Sequence, residues 1–162
     1  MWEDVPIAMK TTLLFDIVSG SVDETESAGE RLAHLVTELK CPKFVAMYGD
    51  LGVGKTAFSR GFVRVFIPDA PVCSPTYSII NEYSEGDRVI CHIDAYRIDS
   101  DDDLYSCGFY DYSDAVTLLE WSENVPYAHP NAFTKLTIFR VDEHSRHIVA
   151  EIVEKEDGDF LC

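Results

Sequence analysis

The sequence predicts an α/β fold of three layers, with a mixed β-sheet flanked by helices and antiparallel hairpins. Three observations carry that reading. Strand, glycine-rich loop and helix follow one another from Lys43 to Phe66. Ala115 to Leu119 is uniformly apolar, as a strand covered on both faces must be. Two pairs of short runs, Tyr77–Tyr83 with Arg88–Asp94 and Lys135–Val141 with Arg146–Val153, are joined by turn-rich tetrapeptides and read as hairpins.

Met1 to Lys10 is a short lead-in, with acids where a signal peptide carries bases. Thr11 to Val18 reads as a first strand. Turn-rich Ser19 to Thr25 precedes a helix from Glu26 to Lys40, with Leu32, Leu35, Val36 and Leu39 on one face. Thr25, or Ser27 with Glu30, is its cap. Cys41-Pro42 stops it. Lys43 to Tyr48 is a short buried strand. Thr56 to Phe66 is a helix with Phe58, Phe62, Val63 and Phe66 at helical spacing. After the first hairpin, Asp102 to Gly108 forms a short helix behind a run of acids, and Pro126 to Asn131 is loop. Residues 11–153 then make one domain, and 154–162 a loose polar tail.

Composition narrows the function. A chain of 162 residues is one domain by size, able to bury roughly two-thirds of its unfolded surface without staples. A formal net charge of −16 argues against an autonomous grip on nucleic acid, which needs a Lys/Arg footprint. It suits solubility or a basic partner protein. The five cysteines are scattered, without C-x-x-C or zinc-finger spacing, and read as reduced thiols of a cytoplasmic protein. Cys91, inside an apolar run, is a packing residue. No stretch reaches the length of a membrane-spanning helix.

Gly49-Asp50-Leu51-Gly52-Val53-Gly54-Lys55-Thr56 fits G-x-x-x-x-G-K-S/T, so the domain is P-loop NTPase-like. Glycines let the backbone curl until successive N–H groups face one concavity at a helix N-terminus, where phosphate binds. Lys55 would reach the β- and γ-phosphates, and the Thr56 hydroxyl would ligate Mg²⁺. Hydrolysis needs a further acid near the metal, usually at the end of an apolar strand. Glu120 and Asp94 both qualify, and Glu120 follows the more uniformly apolar run. A strand-end cap facing water is the plainer role for either. Strand alternation puts His92, Asp94 and Tyr96 on one face, with Arg97 placed to pair with Asp94 or a phosphate. His92 itself is either a packed structural residue or part of the site. Ser74-Pro75-Thr76 is a hydroxyl-bearing loop that could close over a γ-phosphate, or an ordinary turn. Trp121 packs near the nucleotide or in the core.

Taken in order, Thr25, the P-loop, Ser74-Pro75-Thr76-Tyr77, Asn81-Glu82-Tyr83, His92-Ile93-Asp94-Ala95-Tyr96-Arg97, Gly108 and Leu119-Glu120-Trp121-Ser122-Glu123 resemble the bacterial TsaE (YjeE) family over about residues 11–153. The resemblance implies a small ATPase needed to make threonylcarbamoyladenosine in tRNA, with ATP/ADP and Mg²⁺ as its ligands. It implies that residues Asp50 to Ala57 hold the phosphates, that Thr56 and Glu120 ligate the metal, that Asp94 and Thr76 lie at the reaction centre, and that Thr25 lies near the adenine. The implied partner is the TsaD–TsaB pair, reset by ATP turnover, with tRNA reached only through that complex and no membrane involved. Two departures stand out. Ala57 replaces a second Thr after Thr56, and Asp103-Leu104 replaces Glu-Leu.

Rival readings remain at this level. A small-molecule kinase shares the loop, but no arginine lies between Arg97 and Arg140 to build a phosphate-clamping lid. A GTPase would carry N-K-x-D, which is absent from the sequence. A nucleotide-gated binding module with little turnover carries the same motif.

Overall fold

The computed structural model describes residues 7–156. Its strands are β1 (Met9–Ser19), β2 (Phe44–Tyr48), β3 (Ile80–Glu85), β4 (Arg88–Asp94), β5 (Val116–Glu120), β6 (Ala132–Arg140) and β7 (Arg146–Lys155). Its helices are α1 (Val22–Glu38), α2 (Lys55–Phe66) and α3 (Asp101–Ser106), with 3₁₀ turns at Phe109–Tyr112, Ser122–Asn124 and Pro126–Ala128.

Among the described residues the strands form one sheet in the order β1-β7-β6-β2-β5-β4-β3. β2 pairs in parallel with β5 and β6, and β4 in parallel with β5. The β3–β4, β6–β7 and β1–β7 pairs are antiparallel. The sheet is therefore mixed, as predicted. α1 and α2 cover one face, over a core that includes Phe15, Leu32, Met47, Phe58, Phe62 and Ile138. The other face is covered by α3 and the 3₁₀ turns, through Ile93, Leu104, Phe109, Leu119 and Val125. The third layer is thus one short helix with turns.

Several boundaries move for local reasons. The helix predicted from Glu26 starts at Val22, because the Ser21 hydroxyl accepts the Glu24 amide at 3.1 Å and Asp23 and Glu24 complement the helix dipole. Thr25 and Ser27 are not caps. Thr25 donates to the Ser21 carbonyl and Ser27 to the Asp23 carbonyl, both from inside the helix. The strand predicted from Tyr77 begins at Ile80, because Ile79 sits at φ 65° and its amide turns back to the Pro75 carbonyl. α3 starts one residue early on a capping box between Ser100 and Asp103. β1 and β7 outrun their predicted ends: Met9 pairs with Lys155 and Lys10 with Glu154. Those four residues belong to the sheet rather than to a lead-in or tail. The rest of the predicted tail, 157–162, and residues 1–6 lie outside the described residues.

α1 and α2 cross at close range through glycine. A Cβ on Gly29 would collide with the Phe58 carbonyl, and one on Gly61 with the Glu26 carbonyl. The crossing is framed by Glu26, which accepts Arg60 at 2.7 Å and Arg64 at 2.6 Å. The Arg60 hydrogen bond leads in holding the Glu26 carboxyl below its usual range. Gly61→Ala is expected to destabilise the fold by about 1–3 kcal/mol, the cost of overpacking. A urea unfolding midpoint equal to that of the parent would show that the helices can separate freely.

Candidate functional site

β2 delivers the chain to the glycine loop. Gly49 (φ 147°), Gly52 (φ 72°) and Gly54 (φ 114°) take conformations that side chains rarely adopt. At Gly49 there is also no room, since a Cβ would lie 2.7 Å from the Ile138 carbonyl oxygen. α2 begins directly at Lys55, so the loop curls onto a helix N-terminus. Lys55 is buried, 6% exposed. Its Nζ donates to the Gly49 carbonyl at 2.7 Å and lies 4.2 Å from the centroid of the Trp121 ring. Burial holds its pKa below the ordinary lysine range, and Glu120, Glu123, Asp94 and Asp50 oppose that shift.

Register brings two acids to the same edge. Glu120 pairs with Met47 on β2 and with Asp94 on β4, so the P-loop, Glu120 and Asp94 leave three neighbouring parallel strands side by side. Glu120 is 3% and Asp94 7% exposed, so neither is a cap facing water. Glu120 Oε1 lies 2.8 Å from His92 Nε2. Asp94 Oδ1 accepts the Tyr96 amide at 2.9 Å. Burial pushes the Asp94 carboxyl above its usual range, the Tyr96 amide opposes this, and Glu120 adds repulsion. The next residue, Trp121, has left-handed backbone (φ 55°, ψ 44°), and its ring meets that of Tyr96 at 5.0 Å.

Two clefts meet at Gly54. One, of about 200 Å³, is lined by Leu51, Gly52, Gly54, Lys55, Thr56, Ser74, Glu120 and Trp121. The other, of about 290 Å³, is lined by Ser21, Thr25, Gly54, Ala57, His144, Arg146 and neighbours. Larger hollows of about 510 and 610 Å³ lie at the amino ends of β2 and β5 and along β3, away from the loop.

The remaining predicted site residues differ in exposure. Thr76 is exposed, and Ser74, 2.7 Å away hydroxyl to hydroxyl, lines the cleft. Asp50 is exposed while Val53 is buried. β4 ends at Asp94, so Tyr96 turns out to the surface instead of sharing a strand face with His92 and Asp94. Arg97 is exposed and makes no ion pair with Asp94. Arg146 was not singled out by sequence. Its Nε donates to the Val53 carbonyl at 2.7 Å across 93 positions, and no local pattern signals that.

The donor set suits Mg²⁺. His92 engages one Glu120 oxygen; the other, and the Thr56 hydroxyl, carry no hydrogen bond among the described residues. Both are hard oxygen donors. No group of three or more His, Cys, Asp or Glu is placed to hold a metal among the described residues. Among the described residues, no helix is long and apolar enough to cross a membrane.

Comparison with known proteins points one way. A family model described as "Threonylcarbamoyl adenosine biosynthesis protein TsaE" matches residues 19–148. The chain is 34% identical over 119 residues to the tRNA threonylcarbamoyladenosine biosynthesis protein TsaE of Haemophilus influenzae, covering 71% of this chain and 75% of that protein. The identically named Rickettsia bellii protein is 30% identical over 131 residues, covering 80% of this chain and 89% of its own. The crystal structure of Bacillus subtilis YdiB shares the fold, with a TM-score of 0.64 at 23% identity, over 92% of this chain and 88% of that one.

Asp94→Asn keeps the oxygen that accepts the Tyr96 amide but removes the buried charge. Because the folded-state pKa of Asp94 lies above its unfolded value, its ionisation costs stability at neutral pH. That cost disappears as pH falls below the unfolded value, about 4. The variant should melt above the parent at neutral pH, and the two melting curves should converge as pH approaches that value. A parent that melts as high as the variant at neutral pH would show the charge to be compensated where it sits.

Proposed function

The chain belongs to the TsaE family, and from that membership and the geometry of its P-loop edge we propose that it is a Mg²⁺-dependent ATPase serving the synthesis of threonylcarbamoyladenosine in tRNA. The observation that carries the reading is the alignment of three strand ends, which sets a phosphate cradle beside two buried carboxylates.

In this reading the loop amides and Lys55 grip the β- and γ-phosphates, with Lys55 exchanging the Gly49 carbonyl for phosphate oxygen. Thr56 and Glu120 hold Mg²⁺, which when bound offsets the phosphate charge. Asp94 takes the proton of the attacking water, a role suited to a carboxyl whose pKa burial has raised. Ser74 and Thr76 lie at the mouth of the reaction centre as a hydroxyl pair. The cleft beside Thr25 and Ala57 receives the adenine end of ATP. Trp121 flanks the phosphates. The partner is the TsaD–TsaB complex in the cytoplasm, reset by each turnover, with tRNA touched only through it. The acidic chain, at −16, suits that indirect role. The absence of arginine between Arg97 and Arg140 disfavours a small-molecule kinase.

Lys55→Ala should weaken ATP binding by less than the ~1.5–3 kcal/mol worth of a hydrogen bond to a charged group, because the phosphate contact replaces the Gly49 bond. An unchanged Kd in calorimetric titration would remove Lys55 from the phosphate site. ATP hydrolysis should rise when purified TsaD and TsaB are added, and fall to background in Glu120→Ala with nucleotide binding largely kept. A rate indifferent to the partners would leave a P-loop NTPase outside this pathway.

A further inference from the structure

His92 stands in the middle of β4 with no solvent exposure, and its Nε2 lies 2.8 Å from Glu120 Oε1 on the adjacent strand. Its other nitrogen, Nδ1, is the one buried side-chain polar atom without a hydrogen-bond partner among the described residues. That orphan fixes the chemistry of the pair. A proton on Nδ1 would be a buried donor with nothing to receive it, whereas a bare Nδ1 leaves only a lone pair unmatched. The ring therefore carries its proton on Nε2 and donates it to Glu120. The ring has a single polar contact, aimed at the strand-end acid.

We infer that His92 is a positioning residue for Glu120, pinning one carboxylate oxygen so that the other stays turned to the cation in the phosphate cleft. The inference rests on the reading of Glu120 as a metal acid given above. A long carboxylate beside a buried ammonium would otherwise swing onto it. Glu120 already acts on Lys55 through space, yet no ion pair joins them among the described residues. The His92 bond keeps the two charges apart, leaving the lysine to phosphate and the carboxylate to metal. The ring is itself held. It sits opposite Leu118 in the β4–β5 register and packs 6.2 Å from the Tyr83 ring, whose hydroxyl is tied to the Cys73 backbone.

The test uses the full chain with a non-hydrolysable ATP analogue and Mn²⁺ as the probe, with bound metal read by electron paramagnetic resonance. His92→Gln keeps a nitrogen donor near the Nε2 position, His92→Asn draws it back by a methylene, and His92→Leu deletes it. Loss of such a supporting contact typically weakens metal binding 10–100-fold. The Asn and Leu variants should show that loss and Gln should recover most of it, while the Kd for the analogue without metal stays level. The same ordering should recur in the Mg²⁺ concentration for half-maximal hydrolysis, with kcat at saturating Mg²⁺ changing less. If Leu fails to fold, the Asn–Gln contrast decides. Glu120→Gln separates the two readings. If it weakens Mn²⁺ binding while the Asn and Leu variants do not, His92 only packs and the inference is wrong. If Glu120→Gln leaves Mn²⁺ binding unchanged, the metal acid itself is misassigned and the inference falls with it. Equal losses in Asn, Gln and Leu, tracking a fall in melting temperature, would also overturn it.

Discussion

Three buried ionisable side chains, Lys55, Glu120 and Asp94, share one edge of the sheet and must not cancel one another. Burying charge is costly unless it is paired or hydrogen-bonded. The simplest way to lower that cost would be a direct ion pair, which would also close the site. The fold instead gives each group a separate partner. Lys55 has the Gly49 carbonyl and the face of Trp121. Glu120 has the His92 ring, and Asp94 has the Tyr96 amide. The partners come from β4 and from the turns that follow β2, β4 and β5, so the arrangement requires the parallel register of β2, β5 and β4 to hold.

The rest of the molecule serves that register. The glycine contacts of α1 with α2 bring the helices close enough that Thr25 of the first faces Gly54 at the start of the second, 3.7 Å from where a Cβ would stand. On the other side Arg146, from the β6–β7 hairpin, takes the Val53 carbonyl. The P-loop is thus braced from the first helix and from the last hairpin. The cleft beside Thr25 is shaped by residues more than a hundred positions apart in the chain, Gly20 and Arg146 among them.

Local signals and long-range ones separated cleanly here. The P-loop is a run of eight residues whose glycines state their own backbone needs, so it could be read without the fold. Apolar runs likewise marked β4 and β5, and with them the strand-end acids Asp94 and Glu120. The His92–Glu120 bond needs the β4–β5 register, the Arg146 contact needs the hairpin folded back, and the glycine crossing needs two helices in contact. None of these leaves a pattern within one element. The errors of the sequence reading were also physical. Ser21, Thr25 and Ser27 are all plausible caps, and only the strand end at Ser19 decides for Ser21. Nothing in Tyr77 to Ile79 announces that Ile79 will take a left-handed backbone.

Lys55 has a partner within the loop itself: it donates to the carbonyl of Gly49, the residue with no room for a side chain. In the proposed reading, phosphate binding is an exchange of partners. The lysine leaves one oxygen for a more strongly charged one, while the Gly49 carbonyl gives up its donor. The net gain is smaller than a new charge-assisted bond would suggest. The curvature of the loop is set by its own glycines, Gly49, Gly52 and Gly54. Trp121 works in the same sense. Its left-handed backbone costs of order 1–3 kcal/mol by itself, and the stack with Tyr96 and the contact with Lys55 hold it there. Trp121 follows Glu120 directly, and both line one cleft with Lys55.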